Sequence, residues 1–240
     1  MRVRLRPIRA RTPARYRRLW RLRRQHITEA LHSTVALGMA GMLLLFLGFS
    51  LQGGGVLNPG VRPANASRSG EQTPAVHQDR LLCLQQDRWE DLTPLQRLDV
   101  LQTVANIEQS ALGLPHSLRV VADDLEPQLN GYYEDEVHRI VVSLDNLLDQ
   151  PASKSLTTVC HEAYHSYEYN LVERYAAASE QERTQPEYAP AQTYAREFDH
   201  YISGEEDMDG YYRQRCEQDA RAYAEDRAAD YQAWIWLTEN

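Results

Sequence analysis

The run His161-Glu162-Ala163-Tyr164-His165 sets two imidazoles four residues apart, with a carboxylate beside the first. On a helix, residues i and i+4 stand one turn apart on one face, so both rings can reach one metal ion. Zinc accepts imidazole nitrogen at about 2.0–2.1 Å. Glu162 points to the side of the pair. There its carboxylate can take a proton from a water that zinc makes acidic as that water attacks a carbonyl. The H-E-x-x-H pattern predicts His161 and His165 as metal ligands, Glu162 as the general base and Zn2+ as the cofactor.

Two histidines leave catalytic zinc one protein ligand short. The downstream donors are His200, Glu205, Glu206, Asp207, Glu217, Asp219, Glu225 and Asp226. Glu217 is preferred because Ala220, Ala222 and Ala224 follow it, and small residues let a second helix approach the first closely. His200 is the main rival and has no such pattern around it. Cys160 precedes His161 and Cys216 precedes Glu217, so these thiols either form a disulfide or are two small buried residues.

The elements that must carry these residues can be read from spacing. A long helix is expected from Ser153 to Ala177, with Ser153 as its cap, and another from Tyr212 to Leu237. A helix is expected from Ala191 to Ile202. Upstream, Thr93-Pro94 is a helix start, and Leu95, Leu98, Leu101 and Val104 keep helical spacing until Gly113-Leu114-Pro115 stops it. Ser117–Ala122 suits a strand, Asn130-Gly131 a turn, and Val137–Ser143, with Val137, Ile140, Val141 and Val142 branched, is the clearest strand. A short helix is expected over Leu144–Asp149. The fold class is α+β: mostly helical, with a small sheet ahead of the metal helix.

H-E-x-x-H followed by Glu217-Gln218-Asp219-Ala220-Arg221-Ala222-Tyr223 (E-x-x-A-x-A-Y) resembles the gluzincin metallopeptidases, above all the compact ImmA/IrrE-like and anthrax lethal-factor-like catalytic domains. The resemblance implies a zincin-like fold over about residues 95–235. It implies zinc on His161, His165 and Glu217, with Glu162 as base. It further implies that the strand before the metal helix is a sheet edge that holds substrate extended, here Val137, His138, Ile140 and Val142. A tyrosine upstream of the glutamate ligand would stabilise the transition state, which points to Tyr211 and Tyr212, though not at the family's spacing. The thermolysin group carries an acid four residues after the glutamate ligand, where this chain has Arg221. Glu168 and Tyr169 interrupt the longer metzincin motif and exclude that branch.

Composition frames the whole chain. Three cysteines are too few for a disulfide scaffold. Residues 1–24 hold 11 of the 26 basic residues and none of the 34 acids. The remainder is strongly acidic, which argues against nucleic acid as a partner. Thr34 to Leu51 runs 18 residues without a charge, near the roughly 20 that span a bilayer. The expected organisation is an arginine-rich cytoplasmic arm (1–33), a transmembrane anchor (34–51), a flexible linker (52–78) and a zinc metallopeptidase-like domain (79–240). The arginines place the arm inside and the domain outside the cytoplasm. The expected function is a membrane-anchored zinc peptidase acting on peptide or protein. The alternatives are an inactive binding protein on the same fold and a zinc amidase acting on cell-wall peptide.

Overall fold

The computed structural model describes residues 72–239. A single turn over Pro74–His77 precedes two short helices, α1 (Gln78–Leu81) and α2 (Gln86–Glu90). Among the described residues, regular structure is thus already present ahead of the expected boundary at Asp79. Helix α3 (Pro94–Leu112) starts where Thr93-Pro94 predicts. The Thr93 hydroxyl accepts the Gln96 N–H at 3.4 Å, and the Gln96 side chain accepts the Thr93 N–H at 2.8 Å. This reciprocal cap satisfies two backbone donors at the helix start. Gly113 ends the helix at φ 65°, a conformation that costs a residue without a side chain little.

Three strands follow: β1 (Arg119–Asp123), β2 (Gly131–Glu134) and β3 (Arg139–Ser143). Their order in the sheet is β1-β3-β2, with β1 parallel and β2 antiparallel to β3. The strand expected as the substrate edge is therefore the central one. Its backbone is paired on both sides, and Ile140, Val141 and Val142 are all buried. A run of branched residues buried on both faces is the pattern of an interior strand. Val137 is not in it: it lies in a turn, Asp135–Val137, and is 60% exposed. His138 follows in the left-handed region at φ 49° and stacks on His116 at 3.6 Å between ring centroids. The Asn130-Gly131 turn signal proves to be the start of β2. A Cβ at Gly131 would meet Val141 O and Thr158 Cγ2 at 2.6 Å, so glycine lets β2 lie close to both β3 and the helix beneath.

Helix α4 (Leu144–Asp149) is capped by the Ser143 hydroxyl. Buried Arg97 donates to the carbonyls of Trp89, Glu90, Leu147 and Leu148, joining the ends of α2 and α4. Helix α5 (Ala152–Ala177) carries the H-E-x-x-H run. It starts one residue before Ser153, which lies inside the helix and does not cap it. Helix α6 (Ala191–Asp199) stops short of Ile202. The last expected helix is broken in two, α7 (Met208–Arg213) and α8 (Arg215–Glu239). At the break, buried Gln214 donates to Ile202 O at 2.9 Å and accepts Ile202 N–H at 2.8 Å. The core joins α3, the sheet, α5 and α8 through Leu101, Val104, Ile140, Val142, Leu156, Val159, Ala224 and Tyr231.

The architecture is α+β, a helical body around a small sheet. The expectation of a transmembrane helix is corrected: among the described residues no helix is long and apolar enough to cross a membrane. The run 34–51, with the arm before it and most of the linker after it, lies outside the described residues. The single-pass location with an extracytoplasmic domain, which rested on that run, is corrected with it.

Candidate metal centre

Helix α5 holds His161 and His165 one turn apart, with the rings edge to face and their Nε2 atoms 3.0 Å from each other. Helix α8 brings Glu217 against them. Its Oε2 lies 3.4 Å from His161 Nε2 and its Oε1 3.5 Å from His165 Nε2. Two ligand atoms of a tetrahedral zinc ion stand roughly 3.3 Å apart, given bonds near 2.0–2.1 Å. The contacts of 3.0, 3.4 and 3.5 Å lie near that spacing, with the two carboxylate contacts made by different oxygens of Glu217. The three residues also form a group of metal-capable donors whose ligand atoms lie within 4.8 Å of one another.

The approach of α8 follows from its buried stripe: Cys216, Glu217, Ala220, Ala224, Ala228 and Tyr231. Ala220 and Ala224 serve as expected, whereas Ala222 is exposed and Ala228 extends the contact. The start of α8 is fixed from another helix. Glu197 of α6 accepts the N–H groups of Arg215 at 2.8 Å and Cys216 at 2.9 Å. This cap sets Glu217 in the first turn, where the helix dipole favours an anion.

Around the triad the charges are paired. Burial alone would lower the His165 pKa, but the Glu217 and Glu168 carboxylates outweigh it and hold the imidazole well above its ordinary value. Burial would raise Glu217, yet His165 and His161 hold its carboxyl below the usual carboxylate range. Glu168, one turn past His165 and fully buried, accepts from His165 Nδ1 at 2.8 Å. Burial raises the Glu168 carboxyl to about 8, and the hydrogen bond from His165 works against that rise. With Nδ1 held by Glu168, Nε2 is the nitrogen that a metal ion would meet. One oxygen of Glu217, Oε2, is buried and accepts no hydrogen bond. An anionic oxygen left in this state fits a cation as its partner. The residues present thus fit a zinc ion, with His161, His165 and Glu217 as the ligands.

Glu162 is buried beside the triad. Burial raises its carboxyl, and the two histidines and the backbone N–H of Tyr133 in β2 partly offset that. Of the two tyrosines expected near the metal, Tyr211 faces the site. It lies close to Glu217 and Glu162, and burial with the Glu217 charge raises its pKa. Tyr212 does not: it is 52% exposed, and its ring lies against the Arg221 guanidinium at 4.7 Å. Tyr223, also near Glu217 in sequence, donates to Glu108 instead.

Among the other donors considered as third ligand, His200 is exposed at the end of α6, and Glu205, Glu206, Asp207, Glu225 and Asp226 are exposed as well. Asp219 accepts from Tyr194 and Arg215. Val137, His138, Ile140 and Val142 are not brought together as a substrate edge, for the reasons of topology given above. Cys160 and Cys216 are buried free thiols.

Three residues at the site carry no role in the sequence reading. Glu168 was legible in principle, since i and i+3 share a helical face. Glu197 and Tyr201 were not, because each acts across the fold. Tyr201, in the segment between α6 and α7, donates to Glu217 Oε1 at 2.6 Å. Comparison with protein-family models, with curated proteins and with solved structures gives no match.

Proposed function

We propose that the chain is a zinc-dependent metallopeptidase of gluzincin type. The observation that carries this reading is the meeting of His161 and His165 of α5 with Glu217 of α8, with Glu162 buried beside them. When bound, zinc supplies a Lewis acid that makes a water acidic and polarises a carbonyl. His161, His165 and Glu217 hold the ion. Glu168 fixes the tautomer of His165. Glu162 takes the proton of the attacking water and passes it to the leaving amine, and its burial-raised carboxyl suits both steps. The backbone N–H of Tyr133 favours the ionised form of Glu162 and so partly offsets the effect of burial. Tyr211 offers a hydroxyl to the developing oxyanion.

The substrate edge in this reading is β2. At β1, the Gln102 side chain already bonds Leu118 O and the Val120 N–H. Strand β2 borders the site through Tyr133, and an extended peptide laid along it would bring its scissile carbonyl toward Glu162.

The test is zinc content of the full chain, with peptide hydrolysis measured for wild type, Glu217→Ala and Glu162→Gln. About one zinc per chain is expected in the wild type and in Glu162→Gln, with greatly weakened binding in Glu217→Ala. Hydrolysis is expected in the wild type alone. A folded wild type that takes up no zinc would overturn the reading. Zinc with no hydrolysis of any peptide would turn it toward a binding protein.

A further inference from the structure

We propose that Tyr201 is a positioning residue that makes Glu217 ligate the metal through Oε2 alone; the inference rests on the metal reading above. The two oxygens of Glu217 stand almost equally toward the histidines, Oε2 at 3.4 Å from His161 and Oε1 at 3.5 Å from His165. The histidines therefore do not choose between one-oxygen and two-oxygen ligation. Tyr201 does. Its hydroxyl donates to Oε1 at 2.6 Å, while Oε2 is buried and accepts no hydrogen bond. A buried acceptor left without a donor costs free energy, and an anionic one costs more than a neutral one. Arg221 offsets part of that cost as an ion pair, with Nη1 at 3.7 Å, but gives Oε2 no hydrogen bond. Oε2 is thus the oxygen kept for the ion.

Tyr201 is held for this task. The next residue, Ile202, has both its N–H and its C=O bonded to the side chain of Gln214, which sits just before α8. The clamp ties the segment bearing the hydroxyl to the helix bearing the carboxylate. The Tyr201 ring also meets the Tyr211 ring edge to face at 6.4 Å. One-oxygen ligation completes three protein bonds and leaves a fourth position open for reacting groups, the arrangement of a catalytic zinc site.

The experiment uses the full chain with Co2+ in place of zinc, since Co2+ reports coordination number in its visible absorption. Tyr201→Phe removes the hydroxyl and keeps the ring. The wild type is expected to show the intense bands of four-coordinate Co2+. Tyr201→Phe is expected to show the weaker bands of higher coordination and to bind zinc about 10–100-fold less tightly. Identical bands in the two proteins would overturn the role of Tyr201 and leave the metal reading standing. Weaker affinity with unchanged bands would also overturn it, because mere support of the fold moves affinity alone. Weak bands already present in the wild type would have the same meaning. A folded wild type that binds neither ion would overturn the metal reading itself, and this inference with it.

Discussion

Glu108 offers the sharpest test of how the helices that carry the site are held together. It is fully buried on α3 and receives Tyr231 at 2.6 Å, Tyr223, and the Arg227 guanidinium at 2.8–3.1 Å, all from α8. Glu108→Ala removes the acceptor for all of these groups. The Tyr231 hydroxyl is buried and left without this acceptor, at about 1–3 kcal/mol. Breaking a buried ion pair by removing one partner costs about 3–5 kcal/mol. Here Arg227 retains Asp230 at 3.0 Å and is partly exposed, which places the loss near the lower end, at about 3 kcal/mol. Urea unfolding of the metal-free protein measures it. With a slope of about 2 kcal/mol/M, the midpoint should fall by about 1.5 M. The double replacement Glu108→Met with Arg227→Met should lose less than Glu108→Met alone, because no charge is then stranded. A loss under about 1 kcal/mol for Glu108→Ala, or a double variant less stable than the single, would refute the reasoning.

Four further outcomes are expected. Glu168→Ala deprives His165 Nδ1 of its acceptor, so zinc affinity should fall about 10–100-fold in a chelator competition, whereas Glu168→Gln, which keeps an acceptor, should fall less. Glu197→Ala removes the cap of α8 and should cost about 1 kcal/mol in thermal unfolding, with weaker zinc binding because Glu217 stands in the first turn. In the metal-free protein the folded pKa of His165 is raised above its unfolded value of about 6.5. Its stabilising contribution is therefore complete below about pH 6.5 and is lost as pH rises through the raised folded value. Zinc must displace the same proton, so zinc affinity should rise with pH across that window and fall in acid, as calorimetry at several pH values would detect.

The features legible in the sequence are those set by neighbours along the chain. The Thr93 cap, the Gly113 stop, the helix Leu144–Asp149 and the one-turn spacing of His161 and His165 each depend on residues within a turn of each other. Glu217 was legible because the alanines that let α8 approach lie beside it. The order of the strands was not, since it depends on which segments pair at long range. The signal for a central strand was present all the same: Ile140-Val141-Val142 has no polar residue to face solvent. Strand β2 was missed because Gly131-Tyr132-Tyr133-Glu134 has no branched run and follows a turn signal. The break between α7 and α8 has no proline at its point. It is made by the Gln214 amide bonding to the backbone of Ile202, a tertiary choice that overrides local preference.

The ligands come from two helices separated by α6, α7 and the segment that carries Tyr201. An ion held by His165 and Glu217 would close a loop of about fifty residues, with the entropic effect of a cross-link on the unfolded chain. It would act as a reversible staple, made of coordinate bonds where a secreted protein would use a disulfide. The nearby thiols of Cys160 and Cys216 are free, so within this pair of helices no covalent link between them does that work. Metal occupancy and the folding of everything between α5 and α8 would then be one equilibrium, with the metal concentration setting its position.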